Sequence, residues 1–416
     1  MAPQVETLPD HRLTTVVVGT TVRKNLPTLQ AYLTSLDWQA MPPNTRLVPV
    51  FVPDFLPEQA DAAQYLFQWV NERSGHLLEG VVSNAADFSD AAGLQSHQWQ
   101  ASSMARVGAN KNKILQWALA NKADYVLLCD ADLILDRTTI ASLLACDKPI
   151  VTATYWTRWQ HSVPETGRND AGPQVWLTHP YGMEGRGMDG AEFRQRLLNR
   201  EVVRVWGFGA CTLIARRVLE AGISFDFLPD VPMTGLMAGE DRHFCIRCER
   251  QHIDAYADNW PDIFHVYHAA TDVPQIPAML TRLGAEHPTR ARTGDLVSVR
   301  LRALEPIPAG PGRFQHTQPA NIRGRLGALP VLPEIEEAIA GQEVGAMAIV
   351  RVHFPIHYPL PVLRGRSRLI EVSVLDAKPN GHPPVIEDDL YVGPLSGAYV
   401  HGASVPEPKR PELFRG

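Results

Sequence analysis

The stretch Lys122-Ala123-Asp124-Tyr125-Val126-Leu127-Leu128-Cys129-Asp130-Ala131-Asp132 decides the fold. Residues 124–129 are apolar without alternation once past Asp124, which reads as a strand buried on both faces, as the strands of a helix-covered parallel sheet are. Just before it, Ile114, Leu115, Ala118 and Leu119 mark one face of a helix over residues 110–121, closed near Asn121. Just after it come two carboxylates, Asp130 and Asp132. Polar groups at the carboxyl end of a buried strand lie where open α/β sheets bind ligands.

The same alternation of strand and helix extends in both directions. Residues 14–19 form a second doubly apolar run, and Leu26, Leu29, Leu33 and Leu36 have helical spacing. Residues 47–52 read as a strand whose internal Pro49 predicts an edge or a bulge. A short helix is expected over 138–146. Residues 157–201 are rich in glycine and poor in periodicity, so they read as a long loop or lid. Strand character returns over 202–215, helix over 242–251 and strand over 253–257. The fold class is therefore α/β with a mainly parallel, mixed sheet over residues 1–270. Residues 271–294, interrupted by prolines, read as a linker with one helical turn at 278–283. Residues 296–301 and 368–374 alternate like antiparallel strands, which predicts a second, α+β domain over 295–378 and a Pro/Gly-rich tail over 379–416.

Composition excludes several classes. A chain of 416 residues that is 45% apolar has room for two or three cores and is not a disordered segment. Its formal charge of -6 supplies no basic field for a nucleic-acid backbone. There is no apolar run long enough for a membrane span, and the opening residues lack the pattern of a signal peptide. The five cysteines give no disulfide framework, so a cytoplasmic location with reduced thiols is expected.

Three polar sites could carry chemistry. Asp130 and Asp132, two residues apart, can share a hard divalent cation with phosphate oxygens. Gly239-Glu240-Asp241 puts a second carboxylate pair at a helix start, where anionic side chains are favoured. His265 and His268 follow the last strand, and imidazole is a common metal ligand. The string His243-x-Cys245-x2-Cys248-x3-His252 has a zinc-like look. On a helix, however, His243 leaves the face shared by the other three, so these residues read as packing. Gly207-Phe208-Gly209 lacks the third glycine of a dinucleotide fingerprint. Trp156, Trp159, Trp176 and Trp206 flank the lid-like region, where they would stack on a sugar or fill the core.

The order of residues 14–20, Asp130-Ala131-Asp132, Gly207-Phe208-Gly209-Ala210-Cys211, Gly239-Glu240-Asp241 and His265 resembles the A-type-fold (GT-A) nucleotide-sugar glycosyltransferases, over about residues 12–268. The resemblance implies that Asp132, Asp130 and His265 bind Mn2+ or Mg2+, with His268 as the alternative histidine. Asp130 would also contact the donor. It implies that Asp241 is the catalytic base of an inverting reaction and that Glu240 binds the acceptor or exchanges roles with it. Thr20, Thr21, Arg23, Arg106, Asn110 and Lys113 would approach the nucleotide-sugar.

Residues 295–378 resemble the FKBP-type isomerase fold, including the form found in trigger factor, through Leu326-Gly327, Val331-Leu332-Pro333, the run 335–345 and Phe354-Pro355-Ile356-His357-Tyr358. This implies a curved antiparallel sheet wrapped on one short helix, with a peptide groove at Phe314, Val331, Leu332 and Tyr358. Ile335 replaces the aromatic floor of that groove, and Gln315 stands where an acidic residue is usual. The expected function is metal-dependent transfer of a sugar from a nucleotide-sugar donor to an acceptor hydroxyl, with a polypeptide among the candidate acceptors. Two alternatives stand beside it: a transferase-fold scaffold without activity that binds peptides, and a sugar nucleotidyltransferase. For the latter, Gly19-Thr20-Thr21-Val22-Arg23 is poor in glycine.

Overall fold

A computed structural model describes residues 13–42, 44–80, 101–158, 171–176, 196, 200–231, 239–285, 290–304, 307–310, 313–315, 319–359 and 361–378. The tail over 379–416 and most of the lid-like region, including Trp159, lie outside the described residues.

The first domain is built on β1 (Thr14–Val22), α1 (Leu26–Asp37), β2 (Thr45–Pro53), α2 (Ala60–Glu72) and β3 (His76–Leu77). It continues with α3 (Ala101–Ala120), β4 (Tyr125–Leu128), β5 (Leu133–Leu135), α4 (Thr139–Ala145) and β6 (Ile150–Ala153). After these come β7 (Val202–Val205), β8 (Thr212–Ala215), α5 (Glu240–Arg250), β9 (Ala255–Asp258), β10 (Ile263–His265) and α6 (Ile276–Leu283). Eight strands form one sheet in the order β7-β9-β6-β8-β4-β1-β2-β3. β1, β2, β3 and β4 run parallel to their neighbours within this group, as do β6 and β9; β7 and β8 are antiparallel.

β1 shows why a doubly apolar run becomes a central strand. Val16 and Val18 pack with Leu29 and Leu33 of α1 and Leu66 of α2, while Val17 points the other way, into a cluster with Ile114, Ala118 and Phe244. Burying each such side chain is worth about 1.5–3 kcal/mol, so both faces resist exposure. α1 starts where Asn25 accepts from the Thr28 backbone N–H at 3.1 Å, with Pro27 in its first turn.

Several boundaries differ from the sequence reading. β2 is not the edge strand, but the two-residue β3 pairs only with Val50 and Phe51, so Pro49 faces no missing ladder partner on that side. Residues 202–215 do not make one strand. They make β7, the pair Gly207–Phe208 bound to Val175–Trp176, and β8. A Cβ on Gly207 would stand 2.2 Å from the Trp176 ring, and Cys211 has a φ of 61°, so the chain leaves the sheet and re-enters it. α3 begins nine residues earlier than expected, at Ala101, and α5 begins at Glu240, which puts the carboxylate pair inside its first turn. Within the stretch expected as a linker, α6 buries Ile276 and Leu283 against Ala31, Ile134 and Val266.

In the second domain, β11 (Leu296–Ala303), β12 (Ala320–Arg325), β13 (Met347–His353) and β14 (Ser367–Lys378) form an antiparallel sheet in the order β12-β11-β14-β13. The short helix α7 (Pro333–Ile339) packs Ile335 and Ile339 against Val297, Val299, Val352, Val372 and Val374. The two domains meet through polar side chains. Trp260 Nε1 donates to Asp376 Oδ2 at 2.6 Å, and the Arg323 guanidinium donates to Asp258, whose other oxygen accepts from Ser142 Oγ at 2.6 Å. Burial by itself raises the Asp258 carboxyl, but the Arg323 charge and these hydrogen bonds outweigh it and hold the carboxyl below its usual range.

Candidate functional site

β1 and β4 lie side by side with Gly19 opposite Leu128, and a Cβ on Gly19 would stand 2.2 Å from Ile114 of α3. That close approach brings α3 down onto the carboxyl ends of both strands. After β4 the chain turns through Asp130, Ala131 and Asp132 into β5, which pairs antiparallel with β10 so that His265 lies opposite Leu133. The Val266 N–H donates to the Asp132 carbonyl at 2.8 Å. Strand register thus sets His265 Nε2 at 3.5 Å from Asp132 Oδ2, while Nδ1 is 2.8 Å from Thr157 Oγ1. His268, the alternative histidine, donates its backbone N–H to Asp272 instead.

Asp132 is nearly fully buried, and Lys24 Nζ donates to its Oδ2 at 2.5 Å. Desolvation raises the Asp132 carboxyl, but Lys24 and His265 outweigh it and hold it far below the usual range. Asp132 Oδ1 is buried with no hydrogen-bond partner among the described residues. A buried carboxylate with one oxygen unpartnered and the other facing an imidazole nitrogen fits a divalent cation, because adjacent ligands around Mg2+ or Mn2+ stand about 3 Å apart. Among the described residues, no three His, Cys, Asp or Glu side chains are arranged to hold a metal, and Asp132 with His265 is a candidate pair rather than a closed cage. Such a half-open set suits a cation that takes its other ligands from phosphates and water.

Across the pocket, Gly239 enters α5 at φ 105° and ψ 144°, a region almost reserved for glycine. Gly108 of α3 lies against α5, where a Cβ would stand 3.2 Å from Glu240 Cβ. One turn further along the same face, Lys111 Nζ donates to Glu240 Oε1 at 2.9 Å and to Asp241 Oδ1 at 2.7 Å. Burial lowers the Lys111 ammonium, but Asp241, Glu240 and Asp130 together raise it above its ordinary value. Burial pushes the Asp241 carboxyl up to about 7 against the pull of Lys111, with Glu240 adding to the rise. Asp130 is also raised, first by burial. Gly19, Thr21, Lys111, Asp130 and Asp241 line one pocket, with Ile114, Phe208 and Phe225 as its apolar wall.

The residues expected at the nucleotide divide. Thr21 lines the pocket, but Thr20 points to the opposite face of β1, where its hydroxyl meets Tyr32 Oη at 2.6 Å. Arg23 and Arg106 converge on Asp54 at the end of β2, at 2.9 and 3.3 Å. Asn110 is buried on α3. Lys113 is turned away and donates to the Glu79 carbonyl at 2.6 Å. The sequence reading missed both ammonium groups inside the site, Lys24 and Lys111. Gly108 was the available signal for Lys111, because a glycine three residues earlier on a helix marks a face of close approach.

In the second domain Val331, Leu332 and Tyr358 are partly buried against the cluster over Ile335, and the Tyr358 and Phe354 rings lie 4.8 Å apart. The Phe314 side chain is outside the described residues. In the zinc-like string, Cys245 and Cys248 are buried, His243 Nδ1 accepts from the Leu228 N–H, and His252 lies beyond the end of α5.

No family model matches the chain, and no curated protein does. Among solved structures, it is similar to S. aureus TarS at 12% identity and a TM-score of 0.36, over 66% of this chain and 41% of that one. It is similar to the mannosyltransferase PcManGT from Pyrobaculum calidifontis, solved with GDP-Man and Mn2+, at 15% identity and a TM-score of 0.33, over 68% of each chain. To GalNAc-T7 with UDP, GalNAc and Mn2+ the identity is 14% and the TM-score 0.35, over 62% of this chain and 45% of that one. The chain therefore spans less than half the length of the first of these. No helix among the described residues is long and apolar enough to cross a membrane.

Proposed function

We propose that the chain is a metal-dependent glycosyltransferase that moves a sugar from a nucleotide-sugar donor to an acceptor hydroxyl. The observation that carries this reading is a pocket lined by Asp130, Lys111 and Asp241, with Asp132, two residues along the chain from Asp130, paired to His265. Asp132 and His265, with Asp130 beside them, would hold a divalent cation that neutralises charge developing on the departing diphosphate. Asp241, 24% exposed where Glu240 is 7%, is the better placed of the pair to meet an acceptor. It takes the proton of the acceptor hydroxyl as that oxygen bonds to the anomeric carbon. The bond from that carbon to the diphosphate oxygen breaks, and its electron pair leaves with the nucleoside diphosphate. A carboxyl that burial pushes up to about 7 is matched to this task. Lys111, bound to both carboxylates, fixes their orientation. Thr21, Arg23, Arg106 and Asn110 are assigned to the nucleotide.

The second domain is read as the acceptor or partner surface, with Val331, Leu332 and Tyr358 taking an extended polypeptide. Met347, Ile349 and Ile356 are also exposed on this domain.

The test is a thermal-shift panel of UDP-, GDP-, CMP- and dTDP-sugars with and without Mn2+, on the wild type and Asp132→Ala. The expected result is stabilisation by one donor type, only with Mn2+ and only in the wild type. No stabilisation by any donor favours the inactive scaffold.

A further inference from the structure

Lys24 stands two residues beyond the end of β1, and its ammonium is 2.5 Å from Asp132 Oδ2. His265 Nε2 approaches the same oxygen at 3.5 Å. A divalent cation bridging Asp132 and His265 would lie about 2.0–2.2 Å from its carboxylate ligand. It would therefore fall within a few ångströms of the Lys24 nitrogen, and two cations so close repel strongly in a site this buried. A cation seated on Oδ2 therefore competes with the Lys24 ammonium for that oxygen. Lys24 is also able to leave, since its side chain is 29% exposed while Asp132 is 4% exposed. It belongs to the loop that opens from β1 beside Thr21, a residue lining the pocket.

We infer that Lys24 is a resident counter-cation, occupying the metal's place on Asp132 until a nucleoside diphosphate arrives and draws the ammonium onto its own phosphate oxygens. This inference rests on the proposed function and adds an order to it. With Lys24 on Asp132, a divalent cation meets a carboxylate that is already neutralised, so metal alone binds weakly. When diphosphate binds, it gains the Lys24 charge and frees Asp132, so metal and nucleotide each strengthen the other by the same factor. The arrangement also keeps a deeply buried carboxylate paired in the empty enzyme, where an uncompensated charge would be costly.

The experiment is titration of Mn2+ followed by the EPR signal of the free ion, with wild type, Lys24→Met, Lys24→Arg and Asp132→Asn. Each is measured alone and with UDP, GDP, CDP and dTDP in turn, after circular dichroism has shown which variants are folded. The expected result is weak Mn2+ binding to the wild type alone, tightened at least tenfold by one diphosphate. Lys24→Met is expected to bind Mn2+ at least tenfold more tightly than the wild type without nucleotide, and to lose most of the tightening. Lys24→Arg keeps the charge and so keeps the wild-type pattern, which separates the effect of charge from that of packing. If Lys24→Met does not fold, Lys24→Gln, which also removes the charge, takes its place in the same comparison with the same expected result. Mn2+ binding that depends on Asp132 yet is unaltered by nucleotide or by Lys24→Met overturns the inference and leaves the metal site standing. Absence of Mn2+ binding in every protein with every diphosphate overturns the proposed metal dependence together with the inference.

Discussion

Lys378, the last residue of β14, places its Nζ 2.9 Å from Asp136 Oδ2 of the α/β domain, and the two side chains are 0% and 2% exposed. This pair lies between the domains, and Asp262 Oδ2 stands 3.9 Å from the same ammonium. Asp136 leads into α4, and its Oδ1 accepts from both the backbone N–H and the hydroxyl of Thr138 at 2.8 Å. Lys378→Met would remove the ammonium that Asp136 and Asp262 share in this buried contact. Removing one partner of a buried pair costs about 3–5 kcal/mol. Urea unfolding of the whole chain is expected to show a loss of that size. An unchanged midpoint would mean that the pair is open to water in solution.

Gly239→Ala is expected to lower stability by about 1–3 kcal/mol, because φ 105° with ψ 144° is a conformation that side chains rarely adopt. A Cβ there has nothing within 4 Å, so the penalty is one of backbone strain and not of collision. Relaxing the strain would turn the first residues of α5 and draw Asp241 away from Lys111. Thermal unfolding measures the first effect, and loss of transfer with donor binding kept measures the second.

The pH profile follows from Asp241, whose carboxyl burial pushes up to about 7. The base proposed above would work when deprotonated, so kcat/KM is expected to rise through neutral pH and level off above it. Asp241→Asn should lower kcat by about 10²–10⁴-fold while leaving Mn2+-dependent donor binding intact. Lys111→Met removes the charge that pulls this pKa down and should move the rising limb to higher pH. A limb in the same place in both wild type and Lys111→Met would assign it to another group.

Stability should carry the same signature with the opposite sense. A carboxyl raised from about 3.9 in the unfolded chain to about 7 when folded binds more protons in the folded state between those values. Its contribution is fully present below the unfolded pKa and is lost as pH rises through the folded one. Asp241→Asn is therefore expected to be more stable than the wild type at pH 8, by about 1–2 kcal/mol after allowance for partial exposure. The advantage should shrink toward pH 4, as urea melts at a series of pH values would read it.

The sequence determined the class of fold because its strongest signals are local. Residues 14–19 and 124–129 are apolar on both faces, and only a central strand with helices on each side can bury both. The order of elements and the carboxylates following β4 were equally legible, since a strand end and the residues beyond it are neighbours along the chain. Only tertiary structure decided which other side chains meet those carboxylates. His265 stands at Asp132 because β10 pairs with β5 in one register, and a slip by one residue would turn its imidazole to the other face. Lys111, and not Lys113, enters the pocket because α3 presents one side to the sheet, and two residues are more than half a helical turn apart. Lys24 on Asp132 and Lys378 on Asp136 join residues more than a hundred positions apart. Such pairings have no local periodicity to announce them, because charge acts through space and not along the chain.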